Sequence, residues 1–142
     1  MLGEFKGEYS HSVDGKGRVA IPARFRAKIE HGAVLTRGID PCLLVYTAET
    51  WEIKSAALEA SALTPAQRRR VERQMYSQAQ DVELDAQGRV LIPLKLRQFA
   101  GITGEAVIVG ARDRFEIWGA ERWADYLVEL DAEDLTDLPL PF

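Results

Sequence analysis

The sequence of 142 residues has little of what catalysis and metal binding need. It contains a single cysteine, Cys42, and two histidines, His11 and His31. One cysteine excludes an internal disulfide and a cysteine-rich zinc site, and it indicates a reducing cytoplasmic compartment. We interpret Cys42 as a small buried apolar residue and the histidines as surface or turn residues, since no acidic residue is placed to orient them. No Walker-type glycine loop, zincin helix or GxSxG motif is present. The sequence therefore predicts neither an enzyme nor a metal or cofactor site.

Long apolar runs are also missing. No uninterrupted apolar stretch approaches the roughly 18 residues of a membrane-spanning helix. The first six residues, Met1 to Lys6, contain no apolar core of a secretory signal. The hydrophobic fraction of 46% excludes a wholly disordered chain. We expect one domain, or two small units that share a core, with no membrane partner.

The net charge of −4 argues at first against a nucleic-acid partner, but the charge is unevenly distributed. Residues 1–71 carry 11 basic against 8 acidic side chains, whereas residues 72–142 carry 7 against 14. The segment from Gly15 to Ile29 holds five basic residues and no acidic one. Because association with a polyanion depends on the field where contact is made, DNA binding by the first half stays possible.

A thirteen-residue stretch occurs twice. The segment Asp14–Arg26 matches Asp85–Arg97 at an offset of 71 residues, with seven of thirteen positions identical. A second block, Leu43–Trp51, matches Phe115–Trp123 at an offset of 72. Two copies are too few for a solenoid, which needs at least three. The repeat therefore predicts a pseudo-twofold domain built from two similar units.

Each copy is predicted to contain a hairpin, a short helix and two further strands, which makes the fold class α+β and mainly β. The expected strands lie near Tyr9–Val13 and Val82–Leu84, at Arg18–Ile21 and Arg89–Ile92, at Ala33–Arg37 and Ala106–Gly110, and at Leu43–Tyr46 and Phe115–Trp118. The expected short helices run from about Ala23 to Glu30 and from Leu94 to Ala100, where Gly101 ends the helix. Each copy closes with a further helix.

The segment between the copies is rich in helix formers. Thr64-Pro65-Ala66-Gln67 has the signature of a capped helix start, and we expect this helix to end near Gln80. We divide the chain into a first repeat (residues 1–50), a helical connector (51–77), a second repeat (78–123), and a helix end with an acidic tail (124–142).

Both copies place an aspartate and an arginine four residues apart across a glycine. A tight hairpin turn needs the aspartate and glycine for structural reasons alone, so that explanation stays open for Asp14 and Asp85. The arginines, Arg18 and Arg89, are more specific, because a planar fork of donors suits phosphate oxygens and the edge of guanine. The preceding aspartate is placed to hold that fork through a bidentate pair.

Two further arginines, Arg26 and Arg97, lie within the predicted short helices. For these we favour a structural bond from helix to turn, with a phosphate contact as the alternative. The Arg68-Arg69-Arg70 run is predicted to be a solvated helix face, with a contact to flanking DNA or to an acidic neighbouring subunit as the alternative.

These motifs resemble the MraZ family of transcriptional regulators, which are built from two SpoVT-AbrB-type units. The resemblance rests on the two Asp-x-x-x-Arg motifs, each followed by Val-x-Ile-Pro. Supporting segments are Pro41–Tyr46, Trp51-Glu52, Arg97–Gly101 and Phe115–Trp118. The similarity extends over residues 1–130.

The resemblance implies a pseudo-twofold swapped-hairpin β-barrel, AbrB-like and of double-psi type, made of two repeats of about 70 residues with flanking helices. It implies a repressor at the nucleoid that binds short direct repeats upstream of its own division and cell-wall operon and assembles into rings. The partners would be double-stranded DNA and further copies of the chain, without a small-molecule substrate. The residues implied to contact DNA are Asp14, Lys16, Arg18, Arg24, Asp85, Arg89 and Lys95.

The repeats are not equivalent at every implied contact. Lys16 corresponds to Gln87, so a cationic contact there is expected from the first copy only. Arg24 corresponds to Lys95, which keeps the charge and loses the bidentate fork. The alternative function is a structural ring or adaptor that binds proteins through Trp51, Trp118 and Trp123, although packing is the more common role of such tryptophans.

Overall fold

The computed structural model of the protein describes residues 4–142. Met1, Leu2 and Gly3, on which part of the expectation about a secretory signal rests, lie outside the described residues. The described chain forms eight strands and five helices. The strands are β1 (Glu8–Ser12), β2 (Arg18–Ala20), β3 (Ala33–Arg37), β4 (Leu43–Thr47), β5 (Gln80–Val82), β6 (Arg89–Leu91), β7 (Glu105–Gly110) and β8 (Phe115–Gly119). The helices are α1 (Ala23–Lys28), α2 (Ala48–Glu59), α3 (Pro65–Tyr76), α4 (Leu94–Ala100) and α5 (Ala120–Ala132).

The strands form two antiparallel sheets, and in both of them strands of the two repeats pair with each other. The larger sheet has the order β1-β7-β8-β4-β3-β5. Its outer strands both pair across the repeats: Tyr9 in β1 lies opposite Ile108 in β7, and Val82 in β5 lies opposite Ala33 in β3. The smaller sheet pairs β2 with β6, so that Val19 lies opposite Val90. The fold is thus α+β and mostly sheet, and each repeat completes the sheet of the other.

The main hydrophobic core contains residues from both repeats. Phe5, Phe25 and Phe115 form a mutually packed group whose ring centroids lie 5.1 to 5.3 Å apart. Val19 and Val90, at the centre of the smaller sheet, are buried in the same core. Because side chains alternate along a strand, the neighbours of these valines in β2 and β6 point outward.

A second apolar cluster lies around Trp118 and Trp123, which are 2% and 8% exposed. Cys42 is buried in this cluster, as predicted, and burial raises its pKa to about 12. The two tryptophans are therefore not available as an exposed adaptor surface, and that interpretation is wrong for them. Trp51 is half-buried and packs against Tyr76, at 5.0 Å between ring centroids.

The connector contains two helices. The predicted capping box at the start of α3 is confirmed: the Gln67 amide donates to Thr64 Oγ1, and the Thr64 amide donates to Gln67 Oε1. The helix ends at Tyr76 and not near Gln80, because Gln80 to Val82 form β5 and pair with β3. For the same reason this strand precedes the expected position at Val82–Leu84.

The other predicted elements agree with the structure within one or two residues at most ends. α1 ends at Lys28, and α4 ends at Ala100 and is capped by Gly101, whose φ of 65° is left-handed. His31 lies exposed in a turn, as expected, whereas His11 lies half-buried on β1. Between residues 4 and 142, no helix is long and apolar enough to cross a membrane. The same residues include no group of three or more His, Cys, Asp or Glu side chains that is placed to hold a metal ion.

Candidate nucleic-acid interface

The two motif arginines lie on one face of the two-stranded sheet, which we call the arginine ribbon (β2 and β6). In its register Arg18 lies opposite Leu91, and Ala20 lies opposite Arg89. These four residues alternate with the buried Val19 and Val90, so their side chains share the outer face. The strands are adjacent and antiparallel, which brings the arginines of both repeats into one surface.

The turn before each strand is built in the same way around an aspartate. Asp14 Oδ1 accepts hydrogen bonds from the amides of Lys16 and Arg18, at 3.0 and 2.9 Å. Asp14 Oδ2 accepts a hydrogen bond from Arg18 Nε at 2.8 Å. Asp85 makes the equivalent contacts with Arg89, at 2.9 Å to its amide and 2.9 Å to its Nε. Each aspartate thus has two roles: one oxygen shapes the turn, and the other orients the arginine.

The expected bidentate pair within each motif is not formed among the described residues. Within each motif, the aspartate contacts only Nε of its arginine guanidinium, because its other oxygen is engaged by backbone amides. The terminal nitrogens of each guanidinium therefore make no hydrogen bond to the aspartate of their own turn. This leaves the outer edge of Arg18 available to a partner.

These hydrogen bonds lower the pKa of both aspartates. The amide of Arg18 is the largest cause for Asp14, whose pKa falls from 3.8 to about 2. The amide of Arg89 is the largest cause for Asp85, whose pKa is also lowered. Both carboxylates therefore remain ionised at neutral pH, and the charge pattern of the ribbon is fixed there.

Arginines from the short helices pack across the repeats onto the opposite turns. Gly17 has a φ of 90°, and a Cβ atom there would lie 2.6 Å from Nε of Arg97. Gly88 has a φ of 74°, and a Cβ atom there would collide with the guanidinium of Arg26. Arg97 Nε also donates to the carbonyl of Ile92 at 2.9 Å. The structural bond favoured for Arg97 is thus confirmed, and nothing in the structure tests the alternative of a phosphate contact.

Sequence reasoning missed that each arginine reaches the turn of the other repeat. The available signal was the recurrence of both the arginine and the glycine at the same offset, but that signal does not say which copy contacts which. Arg26 has the equivalent packing, although its buried Nε has no hydrogen-bond partner among residues 4–142.

The remaining predicted contact residues lie around the ribbon. Lys16 is exposed in the first turn, and Arg24 and Lys95 are exposed at the starts of α1 and α4. Nothing in the structure tests their contact with DNA, and they stay predictions. Together with the two aspartates and two arginines, these residues carry five positive and two negative charges, on a chain whose net charge is −4.

A surface of this shape and charge fits nucleic acid better than a small ligand. The major groove of B-DNA admits a two-stranded β-ribbon, and arginine is the usual partner of the O6 and N7 atoms of guanine. The Arg18 and Arg89 side chains are 35% and 29% exposed, so both are partly accessible while the aspartates hold them at Nε.

Comparison with known proteins identifies relatives over nearly the whole chain. A family model described as "MraZ protein, putative antitoxin-like" matches twice, over residues 5–74 and 75–139. A protein of Lactiplantibacillus plantarum named transcriptional regulator MraZ is 45% identical over 140 residues, covering 97% of this chain and 99% of its own. Proteins of the same name from Herpetosiphon aurantiacus and Roseiflexus sp. (strain RS-1) are 48% and 43% identical, with 87% and 90% of this chain covered and 86% and 90% of theirs.

Proposed function

Because the chain belongs to the MraZ family, we propose that it is a sequence-specific DNA-binding regulator that represses its own division and cell-wall operon. It binds short direct repeats upstream of that operon and acts at the nucleoid, in the cytoplasm. Members of this family are transcriptional regulators and not enzymes.

One observation carries the proposal: Arg18 and Arg89 share the outer face of the ribbon, each held at Nε by the aspartate of its own turn. Fixed guanidinium groups lose little conformational entropy on binding, which favours recognition of base edges. In this proposal Asp14 and Asp85 orient the arginines. The exposed cations Lys16, Arg24 and Lys95 contact phosphates, which position the protein without reading sequence.

The proposed scaffold is a swapped-hairpin barrel of the AbrB-like type. The pairing of β1 with β7 and of β5 with β3 supports it, since the first strand of each repeat joins the sheet at the third strand of the other. In relatives with a single unit, two chains would supply the two hairpins that the two repeats supply in this chain.

Assembly into rings is part of the proposal because a single subunit has few cations for tight binding. Each neutralised phosphate contributes about −0.9 to the slope of log K against log salt, so five contacts give a slope of about −4.5. Linking several such sites raises the overall affinity by roughly 10²- to 10⁴-fold when the DNA repeats are spaced to suit. A ring on direct repeats therefore combines weak individual sites into a stable complex.

The test is a binding titration with duplex DNA from immediately upstream of the coding region. We expect Arg18→Ala to abolish specific binding while the circular dichroism spectrum and the oligomer mass stay unchanged. Arg73→Ala is the matched control, because it removes the same charge from an exposed position on α3. Unchanged affinity of the Arg18 variant would refute the assignment of the site.

Avidity is tested separately with duplexes that carry one repeat or several. We expect the oligomer, its mass measured by light scattering, to bind the multiple-repeat duplex at least about 100-fold more tightly. Equal affinity for both duplexes would contradict the ring mechanism and leave the DNA-binding site itself in place.

A further inference from the structure

The two halves of the arginine ribbon differ at the positions that surround each guanidinium group. Arg18 lies opposite Leu91 on the neighbouring strand, whereas Arg89 lies opposite Ala20. Leu91 is 56% exposed, which is unusual for a leucine at the centre of a polar surface. The residue two before each arginine also differs, as Lys16 in the first turn and Gln87 in the second.

Arg89 is held by three side chains of the protein. Its Nε donates to Asp85 Oδ2 at 2.9 Å, and its Nη2 donates to Gln87 Oε1 at 3.4 Å. Its Nη1 lies 3.6 Å from Asp14 Oδ2, a carboxylate of the other repeat. All three nitrogens of this guanidinium therefore have an intramolecular partner.

Arg18 is held at one point only. Its Nε donates to Asp14 Oδ2, and across residues 4–142 neither terminal nitrogen has a side-chain hydrogen bond or ion pair. The Arg18 side chain is also the more exposed of the two, at 35% against 29%. Its two terminal nitrogens are the pair that a guanine edge requires.

The two sequence differences, at the opposing residue and at the residue two before the arginine, both leave Arg18 with fewer partners than Arg89. Ala20 is small, so the guanidinium of Arg89 can lean across β2 and reach Asp14. Leu91 lies opposite Arg18, and we attribute to its greater bulk that Arg18 makes no equivalent contact with Asp85. Gln87 supplies an acceptor for Arg89, whereas the ammonium group of Lys16 offers none to Arg18.

We propose that the two motifs are functionally unequal, with Arg18 as the specificity-determining arginine that reads a base and Arg89 as a positioning residue. Arg89 shares Asp14 with Arg18 and so steadies the carboxylate that orients Arg18. The DNA site of one subunit is consequently non-palindromic. The protein reads a base at one end of this site and contacts only the DNA backbone at the other end. This inference rests on the proposed function, because it names how the proposed DNA site is read.

The test starts from duplexes that the wild-type chain selects from a random library, which avoids any assumption about the operator. Affinities and base preferences are then measured at one salt concentration for Arg18→Ala and Arg89→Ala, two variants that remove the same charge. We expect Arg18→Ala to lose its base preference and about 5- to 140-fold in affinity, which leaves only nonspecific binding. We expect Arg89→Ala to lose less affinity and to keep that preference. Loss of one positive charge alone would weaken binding equally in both variants.

Exchange of the opposing residues provides the second arm. We expect Leu91→Ala to let Arg18 reach Asp85 and so to weaken the base preference. In the double variant Ala20→Leu/Leu91→Ala, we expect the base preference to depend on Arg89 more than on Arg18. Thermal unfolding confirms that each variant is folded. If the base preference of the double variant still depended on Arg18 more than on Arg89, the explanation from Ala20 and Leu91 would be overturned.

The outcomes separate this inference from the proposed function. Equal losses for the two arginine variants, a larger loss for Arg89→Ala, or a palindromic selected site would overturn the inequality and leave DNA binding intact. If the wild-type chain selects no duplex, the proposed function fails, and the inference fails with it.

Discussion

The guanidinium of Arg97, in the second repeat, lies directly against Gly17, in the turn of the first repeat. The carbonyl of Gly17 also accepts a hydrogen bond from the amide of Ile92 at 2.8 Å, and the Gly88 carbonyl accepts the equivalent bond from Ile21 at 3.0 Å. Each turn of the two Asp-x-x-x-Arg motifs is therefore supported by the other half of the molecule, so the two turns form one rigid unit.

Gly17→Ala tests this close approach. We expect a destabilisation of about 1–3 kcal/mol, since the left-handed backbone is strained for alanine and its Cβ would meet the Ile92 carbonyl oxygen. Urea denaturation measures the free energy of unfolding. Gly15→Ala is the control in the same turn, because a Cβ there meets nothing within 4 Å. Equal effects of the two variants would contradict the packing described.

The low pKa of Asp14 predicts a pH dependence of stability. A carboxyl whose pKa is about 2 when folded and 3.8 when unfolded stabilises the protein fully above pH 3.8, and this contribution disappears as the pH falls through about 2. Urea denaturation of the wild type and Asp14→Asn from pH 6 to pH 2 checks it. We expect a constant difference in unfolding free energy above pH 4 that shrinks toward pH 2. A difference that stays constant down to pH 2 would show that the pKa is not lowered.

Cys42 should resist alkylation in the native protein. Burial raises its pKa to about 12, and the reactive species is the thiolate. At pH 8 we expect iodoacetamide to modify the folded chain far more slowly than the same chain in urea, as followed by mass spectrometry. Comparable rates in both states would show that the second cluster opens readily.

Trp118→Ala should destabilise the protein by about 3–5 kcal/mol, because a buried indole that packs on Trp123 and Tyr126 is replaced by a cavity. Thermal and urea unfolding measure the loss. Trp51→Ala serves for comparison, since that half-buried side chain should cost less. A reversed order would mean that the second cluster contributes less to stability than its burial suggests.

Much of the local structure was predictable from the sequence. Ala33–Arg37 and Leu94–Ala100 form the predicted strand and helix, and the capping box at Thr64 fixed where α3 begins. These features depend on neighbours in sequence: alternation, proline position and cap residues. β5 was placed two residues late, because its alternation is weak and its partner β3 decides its position.

The partners of the site residues were less predictable, for a physical reason. When two repeats carry the same arginine and the same glycine, the sequence is equally compatible with contacts within a repeat and contacts between repeats. Arg97 on Gly17 and Arg89 near Asp14 are both contacts between repeats, and only the tertiary arrangement selects them. The role of the aspartate in its turn, in contrast, is local and was foreseen for Asp14 and Asp85.

The pairing of β1 with β7 also has a consequence for biosynthesis. Tyr9 and its strand partner Ile108 are 99 residues apart, which a ribosome at roughly 5–20 residues per second takes about 5–20 s to translate. The first repeat must wait that long for the strand that completes its sheet. β1 is suited to the delay, because a strand of five residues that begins with a charged glutamate, Glu8, is a poor template for aggregation between nascent chains.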